Sequence, residues 1–159
     1  MPRHQGKGVG APVPAVFSLA MFEIDPAFLA TSQVVGDLAL SHVRLQSDIR
    51  FPWIVLIPRL SDARELEDLA PGERDVLMEE ILRAGTAVRA IAKALGRPAA
   101  KLNVAQLGNV TPQLHVHVIA RRSDDAAWPA PVWGMGVAEP YPRAALEAAL
   151  TAARLTLGL

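Results

Sequence analysis

Between Pro71 and Pro98, apolar residues recur at every third or fourth position: Leu77, Ile81, Ala84, Val88, Ile91 and Leu95. That spacing lays an apolar stripe along one side of a helix, and the stripe has to be covered by another layer. Both ends of the helix are marked. Pro71 sits where a first-turn proline belongs, Glu73 and Asp75 suit the positive end, and Gly96 followed by Pro98 closes it. A shorter helical turn is expected before it, around Ala63–Leu69.

The flanking segments supply the covering layer. "VVGDLALSHVRLQS" (Val34–Ser47) reads as a strand region with a turn or bulge near Gly36-Asp37. After a loop, "DIRFP", the β-branched and aromatic run "WIVLIPR" (Trp53–Arg59) reads as a strand buried on at least one face. The short loop between these strands fits an antiparallel hairpin. "AKLNVAQLG" (Ala100–Gly108) reads as a third strand, "NVTP" as a turn, and "QLHVHVIARR" (Gln113–Arg122) as a fourth. A loop rich in Pro and Gly with two tryptophans follows, then an alanine-rich helix over "PRAALEAALTAARLTL", with Leu146, Leu150 and Leu157 available for packing. Antiparallel strands with helices between and after them describe an α+β domain.

With 159 residues, 51% hydrophobic and 20% charged, the chain is expected to form one globular domain. Sixteen basic residues balance sixteen acidic ones without a basic block, so the electrostatic footprint of a nucleic-acid binder is missing. The absence of cysteine excludes disulfides, thiolate catalysis and cysteine-based zinc sites. No apolar run approaches the ~20 residues of a membrane span. Residues 1–20 carry several Gly and Pro and little periodicity. Pro12 and Pro14 break the short apolar run there and argue against a signal peptide. A disordered tail over 1–20 is expected, or read-through sequence with Met21 as the true start, leaving 21–159 as the domain and the cytoplasm as the default location.

The chain has four histidines, and two of them, His115 and His117, lie one residue apart in the fourth strand. A strand alternates faces, so Gln113, His115 and His117 share one face while Leu114, Val116 and Val118 share the other. The apolar face suits the long helix. The opposite face then carries three nitrogen- or oxygen-bearing side chains, each roughly 7 Å from the next. Three readings stay open. They are surface groups on a solvated sheet face. They are two ligands of a metal, with His42 as the third. Or they serve phosphoryl or nucleotidyl transfer, one imidazole attacking phosphorus and its neighbour donating to the developing charge, while backbone amides at Gly108-Asn109 hold the phosphate.

"QLHVHVIARR" resembles the signature of the histidine-triad (HIT) family, His-x-His-x-His followed by apolar residues. Other pieces are similar to the family in the same order: "DIRFPWIVLIPR", "DLAPGERDVLMEEI", "LNVAQLGN" and "WPAPVWG", so the likeness runs from about Phe22 to Gly134. The resemblance implies a HIT-like α+β fold with an antiparallel sheet of about five strands, the long helix on one face and the terminal helix at the side. It implies cleavage at the α-phosphorus of a nucleoside phosphate derivative through a nucleotidyl-histidine intermediate.

By position, His115 matches the nucleophile and His117 the histidine that contacts phosphate oxygen. Asn103 matches an asparagine near phosphate or ribose, and Asp48 an acidic residue that binds the ribose hydroxyls. Gly108 and Asn109 lie in the loop that holds the phosphate. Gln113 stands where the first triad histidine would be, and Val110 where some members have Ser or Thr. An amide can give or take a hydrogen bond and so orient His117, but it cannot exchange a proton near neutral pH. The partner implied is a small-molecule nucleotide, with no cofactor, protein-bound metal, nucleic acid or membrane. Relatives are often dimers across the long helix, where the Ala84-Gly85 and Ala87 surface allows close approach. A module that binds nucleotide without turnover is the competing class.

Among the weaker candidates, Arg121-Arg122 are expected to be solvated at the strand end, with phosphate contact the lesser alternative, and Arg50 is a secondary candidate for the ligand loop beside Asp48. Trp128 and Trp133 either stack on a base, cover an interface or pack locally within the loop. Trp53 is expected in the core, His42 in a structural role and His4 in the tail.

Overall fold

The computed structural model describes residues 22–159; the expectations for residues 1–20, Met21 and His4 lie outside the described residues. Its elements are α1 (Pro26–Thr31), β1 (Ser32–Asp37), β2 (Ser41–Gln46), β3 (Trp53–Pro58), α2 (Pro71–Ala94), β4 (Lys101–Ala105), β5 (Val116–Arg121) and α3 (Arg143–Leu157). The strands form one five-stranded sheet in the order β1-β2-β3-β5-β4, every pair antiparallel. The α+β architecture is the expected one.

The long helix begins and ends where its sequence marks it. Glu73 accepts the Ala70 N–H at 2.8 Å, and past the C-terminus Gly96 takes φ +70° while Arg97 N–H returns to Ala92 O at 2.8 Å. Only a residue tolerant of the left-handed region closes a helix this way. The short helical element before it is a single 3-10 turn, Leu66–Asp68.

Two elements were not anticipated. The region 34–47 carries the expected bulge, between Val34 and Gly36, but divides into β1 and β2, joined by a tight reversal at Leu38–Leu40. The buried carboxylate of Glu80, inside α2, accepts the N–H groups of Leu40 (2.7 Å) and Ser41 (3.0 Å) and so fixes that reversal. Upstream, Asp25 caps α1 by accepting the Ala27 N–H at 2.8 Å, with Pro26 as its first residue.

The sheet has two unlike faces. On the first, Val43, Leu45, Ile54, Leu56, Val116 and Val118 pack against Leu77, Ala84, Val88 and Ile91 of α2, and Ala149, Ala153 and Leu157 of α3 join the same core. Ala84 and Ala87 are therefore interior, and a side chain at Gly85 would meet Leu102 Cδ1 at 3.0 Å. The proposed contact surface through Ala84-Gly85 and Ala87 is corrected accordingly: those small residues let α2 approach the sheet. The second face has no long helix. Phe28 of α1 and the loop from Ala127 to Met135 cover it, packing on Phe51, Trp53, Val55, Ile57 and Ile119. No helix among the described residues is long and apolar enough to cross a membrane.

Candidate active site

β5 runs between β3 and β4, and His117 stands opposite Val55 on one side and Ala105 on the other. The regular strand begins at Val116, three residues later than its sequence pattern indicates. Residues 113–115 overrun the ladder, where Leu114 N–H bonds to Ala63 O at 2.9 Å instead. The alternation still holds: Leu114, Val116 and Val118 enter the main core, while both histidines turn to the second face.

That face is not solvated. His115 is 3% exposed and His117 7%. The imidazoles meet edge to face at 4.7 Å and 90°. Phe28 stands against His115 at 4.8 Å, and Trp53 and Trp133 each stand against His117 at 5.3 Å. The reading as surface groups fails because the Ala127–Met135 loop and α1 close over the strand.

Two hydrogen bonds give the rings opposite tautomers. His115 Nδ1 lies 2.7 Å from the Gln113 carbonyl. A carbonyl only accepts, so Nδ1 carries the proton and Nε2 keeps its lone pair. Trp53 Nε1–H donates to His117 Nδ1 at 3.0 Å. An indole only donates, so the proton of His117 sits on Nε2. Burial lowers the pKa of His115 despite opposing backbone hydrogen bonds to Gln113 and Leu107. Burial, with the nearby His115, pushes His117 down to about 3. Both are neutral at physiological pH, one a nucleophile or base at Nε2 and the other a fixed donor.

Gln113 does not act as expected. Its amide reaches away from the imidazoles: Oε1 accepts the Asp25 N–H at 2.9 Å and Nε2 donates to Glu23 O at 2.8 Å. The side chain pins the segment before α1, and its backbone carbonyl is what orients the nucleophile candidate. A cavity of about 370 Å³ opens beside Gln113, between Phe22–Asp25 and Leu60–Arg64, rather than over the histidines.

The expected ligand residues are tied to the covering loop. Asn103, on β4, accepts a hydrogen bond from Arg121 at 2.6 Å through its Oδ1. Arg121 is not solvated; at 1% exposure it is paired twice with Asp125 (2.7 and 3.0 Å) and donates to Ala130 O at 2.9 Å. Its guanidinium lies 6.0 Å from the Phe51 ring and 5.7 Å from Trp128. Arg122 is the residue at the surface, paired with Asp124.

Asp48 is buried and holds Arg50 in a two-point pair at 2.9 and 2.7 Å. Burial raises its pKa, but hydrogen bonds and charge from Arg50, with the Glu139 N–H, outweigh it and hold the carboxyl below its ordinary value. Arg50 in turn donates to Met135 O at 3.1 Å. Asn103 and Arg121 thus anchor one end of the loop, and Asp48 and Arg50 the other.

Gly108 belongs to the loop between β4 and β5, where a side chain would sit 3.2 Å from Thr111 O. The backbone of its neighbour Leu107 reaches His115, while Asn109 is exposed and Val110 projects outward at 95% exposure. His42 lies on β2, two strands from His117, with Nδ1 at 2.5 Å from Asp37. Among the described residues no group of three or more His, Cys, Asp and Glu is placed to hold a metal. Trp53 is in the core as expected; its contact with His117, like that of Phe28 with His115, is what the sequence did not indicate. The parity of "WIVLIPR" was a usable signal, but which parity faces the histidines depends on strand register.

Residues 28–124 match the family described as HIT domain. Among solved structures, a histidine triad protein from Bradyrhizobium japonicum is 39% identical, with a TM-score of 0.80 over 86% of this chain and 98% of that one. One from Sinorhizobium meliloti is 36% identical, with a TM-score of 0.77 over 87% and 99% of the two chains. A third, from Marinobacter aquaeolei, is 32% identical, with a TM-score of 0.76 over 87% and 97%. No curated protein matches.

Proposed function

This chain belongs to the HIT domain family, whose members bind nucleotides and are in general nucleotide hydrolases or transferases, and from that premise we propose that it cleaves nucleoside phosphate derivatives at the α-phosphorus with His115 as the nucleophile. The observation that carries the proposal is the pair of opposite tautomers, since nucleotidyl transfer needs one unprotonated nitrogen beside one N–H donor. His115 Nε2 bonds to phosphorus as the bond from phosphorus to the amine or phosphate leaving group breaks, a departing amine taking up a proton from solvent. The Gln113 carbonyl, on Nδ1–H, stabilises the positive charge that develops on the ring. His117 Nε2–H donates to a non-bridging oxygen, and backbone amides near Gly108-Asn109 complete the phosphate cradle. Water then attacks phosphorus, the P–N bond breaks with its electron pair returning to His115 Nε2, and nucleoside monophosphate leaves while the attacking water's proton passes to solvent. Gln113 stands in the place of the family's first histidine and acts through its carbonyl. For a nucleotide to lie over the imidazoles, the Ala127–Met135 loop draws back, and Asp48 and Asn103 exchange Arg50 and Arg121 for ribose and phosphate.

A second reading, nucleotide binding without turnover, draws support from the engagement of Asp48 with Arg50 and of Asn103 with Arg121. One experiment separates the two. The protein and its His115→Ala variant are mixed with adenosine 5′-phosphoramidate or a dinucleoside polyphosphate, quenched, and followed by intact mass and by AMP release. An adenylyl adduct or AMP release that needs His115 is the expected result. Tight AMP binding with neither would establish the binding module.

A further inference from the structure

Trp53 begins β3 opposite Ile119, two ladder pairs before Val55 and His117, so it is the diagonal neighbour of His117 on the same face. Its indole is buried, lies edge to face with His117, and is braced by Trp133 at 5.5 Å. Packing alone would be served by any aromatic ring. The indole N–H does something further, because its 3.0 Å bond ends on the one nitrogen of His117 that must stay unprotonated for Nε2–H to face the reaction.

We propose that Trp53 is a positioning residue of the reaction: its N–H locks His117 as a permanent Nε2–H donor toward the phosphate oxygens. The proposal rests on the reading of His115 as nucleophile. With Nδ1 already receiving a donor and Nε2 already carrying hydrogen, His117 has no place for a second proton. The other groups facing it are Val55 on β3, Ala105 on β4, Trp133 of the covering loop and His115 on its own chain segment. Behind Val55, on β2, Arg44 turns its guanidinium to Ser32, with bonds of 2.7 Å to both Oγ and the carbonyl. Of these neighbours only His115 carries a titratable imidazole, its pKa lowered by burial, so the acid limb of the rate belongs to His115.

The test is Trp53→Phe, which keeps a ring and removes the donor. Nitrogen-edited NMR of the wild-type imidazoles is expected to show His117 protonated at Nε2 and bare at Nδ1. In Trp53→Phe, the loss of one neutral hydrogen bond corresponds to a fall in kcat of about ten-fold. KM is expected to stay near its wild-type value, and the acid limb to rise toward the ordinary imidazole range as His117 becomes able to protonate. A lower melting temperature with the tautomer and acid limb unchanged would reduce Trp53 to packing and overturn the proposal. A wild-type spectrum with the proton on Nδ1 would overturn it without any variant. Should wild type form no adduct, the proposed reaction fails, while the NMR result still decides the role of Trp53.

Discussion

Replacing Gln113 with alanine removes two hydrogen bonds, from Asp25 N–H at 2.9 Å and to Glu23 O at 2.8 Å, and leaves the carbonyl on His115 in place. A neutral hydrogen bond contributes about 1 kcal/mol net, and both of these are partly open to water. The expected loss of stability is therefore about 1–2 kcal/mol. At about 2–4 °C per kcal/mol for a chain of this size, the melting temperature falls by about 2–8 °C. Calorimetry reads the stability, and amide exchange at Asp25 reads the loosening of the segment ahead of α1. Formation of the His115 adduct, followed in the same samples, is expected to stay within about ten-fold of wild type, the scale of one hydrogen bond. Suppose instead that adduct formation falls by more than about a hundred-fold (~2.7 kcal/mol) while Asp25 exchange is unchanged. The Gln113 amide would then be acting on the histidines, and its role as a brace for the segment before α1 would be refuted.

Two further perturbations test the surroundings of the site. The pKa of His117 is depressed from 6.5 to about 3, so the folded chain holds it neutral while the unfolded chain protonates it. Its contribution to stability is complete above 6.5 and is lost as pH falls from there toward 3. Urea midpoints should consequently drop more steeply over that range in wild type than in His117→Gln; parallel profiles would show that His117 is not buried as a neutral ring. Arg121→Met strands the buried carboxylate of Asp125 and leaves Asn103 Oδ1 and Ala130 O without their donor. Breaking a buried pair from one side costs about 3–5 kcal/mol, and the double variant Arg121→Met with Asp125→Leu should recover much of it. A single-variant loss under about 1 kcal/mol in urea unfolding would mean that Asp125 is solvated or paired elsewhere.

Residues 1–20 apart, the elements were readable where local physics decides them. Pro71, Glu73 and Gly96 bracket α2 because caps act through neighbours a few residues away. Asp25-Pro26 carries the same kind of signal for α1, but a helix of six residues is too short to show a periodic apolar stripe. The division of 34–47 into β1 and β2 was less accessible. The turn is held by Glu80, some forty positions downstream, and a carboxylate on a helix reads as solvent-facing in any periodicity count.

The site divides along the same line. That His115 and His117 share a face, opposite Leu114, Val116 and Val118, follows from strand geometry alone and is legible without any structure. So is the direction of Trp53 relative to Val55 and Ile57. Whether that face met water or protein was beyond the sequence. It depends on a loop ten or more residues further along, held down by Arg121 at Ala130 and by Arg50 at Met135. The proton positions on the two imidazoles were likewise settled by the fold: by an indole from β3 for His117, and for His115 by a carbonyl only two residues away that faces the ring because Gln113 lies beyond the ladder. Periodicity assigns a side chain to a face because that depends only on its own backbone. Burial, tautomer and charge depend on what lies across the space in front of it, and the folded chain alone puts something there.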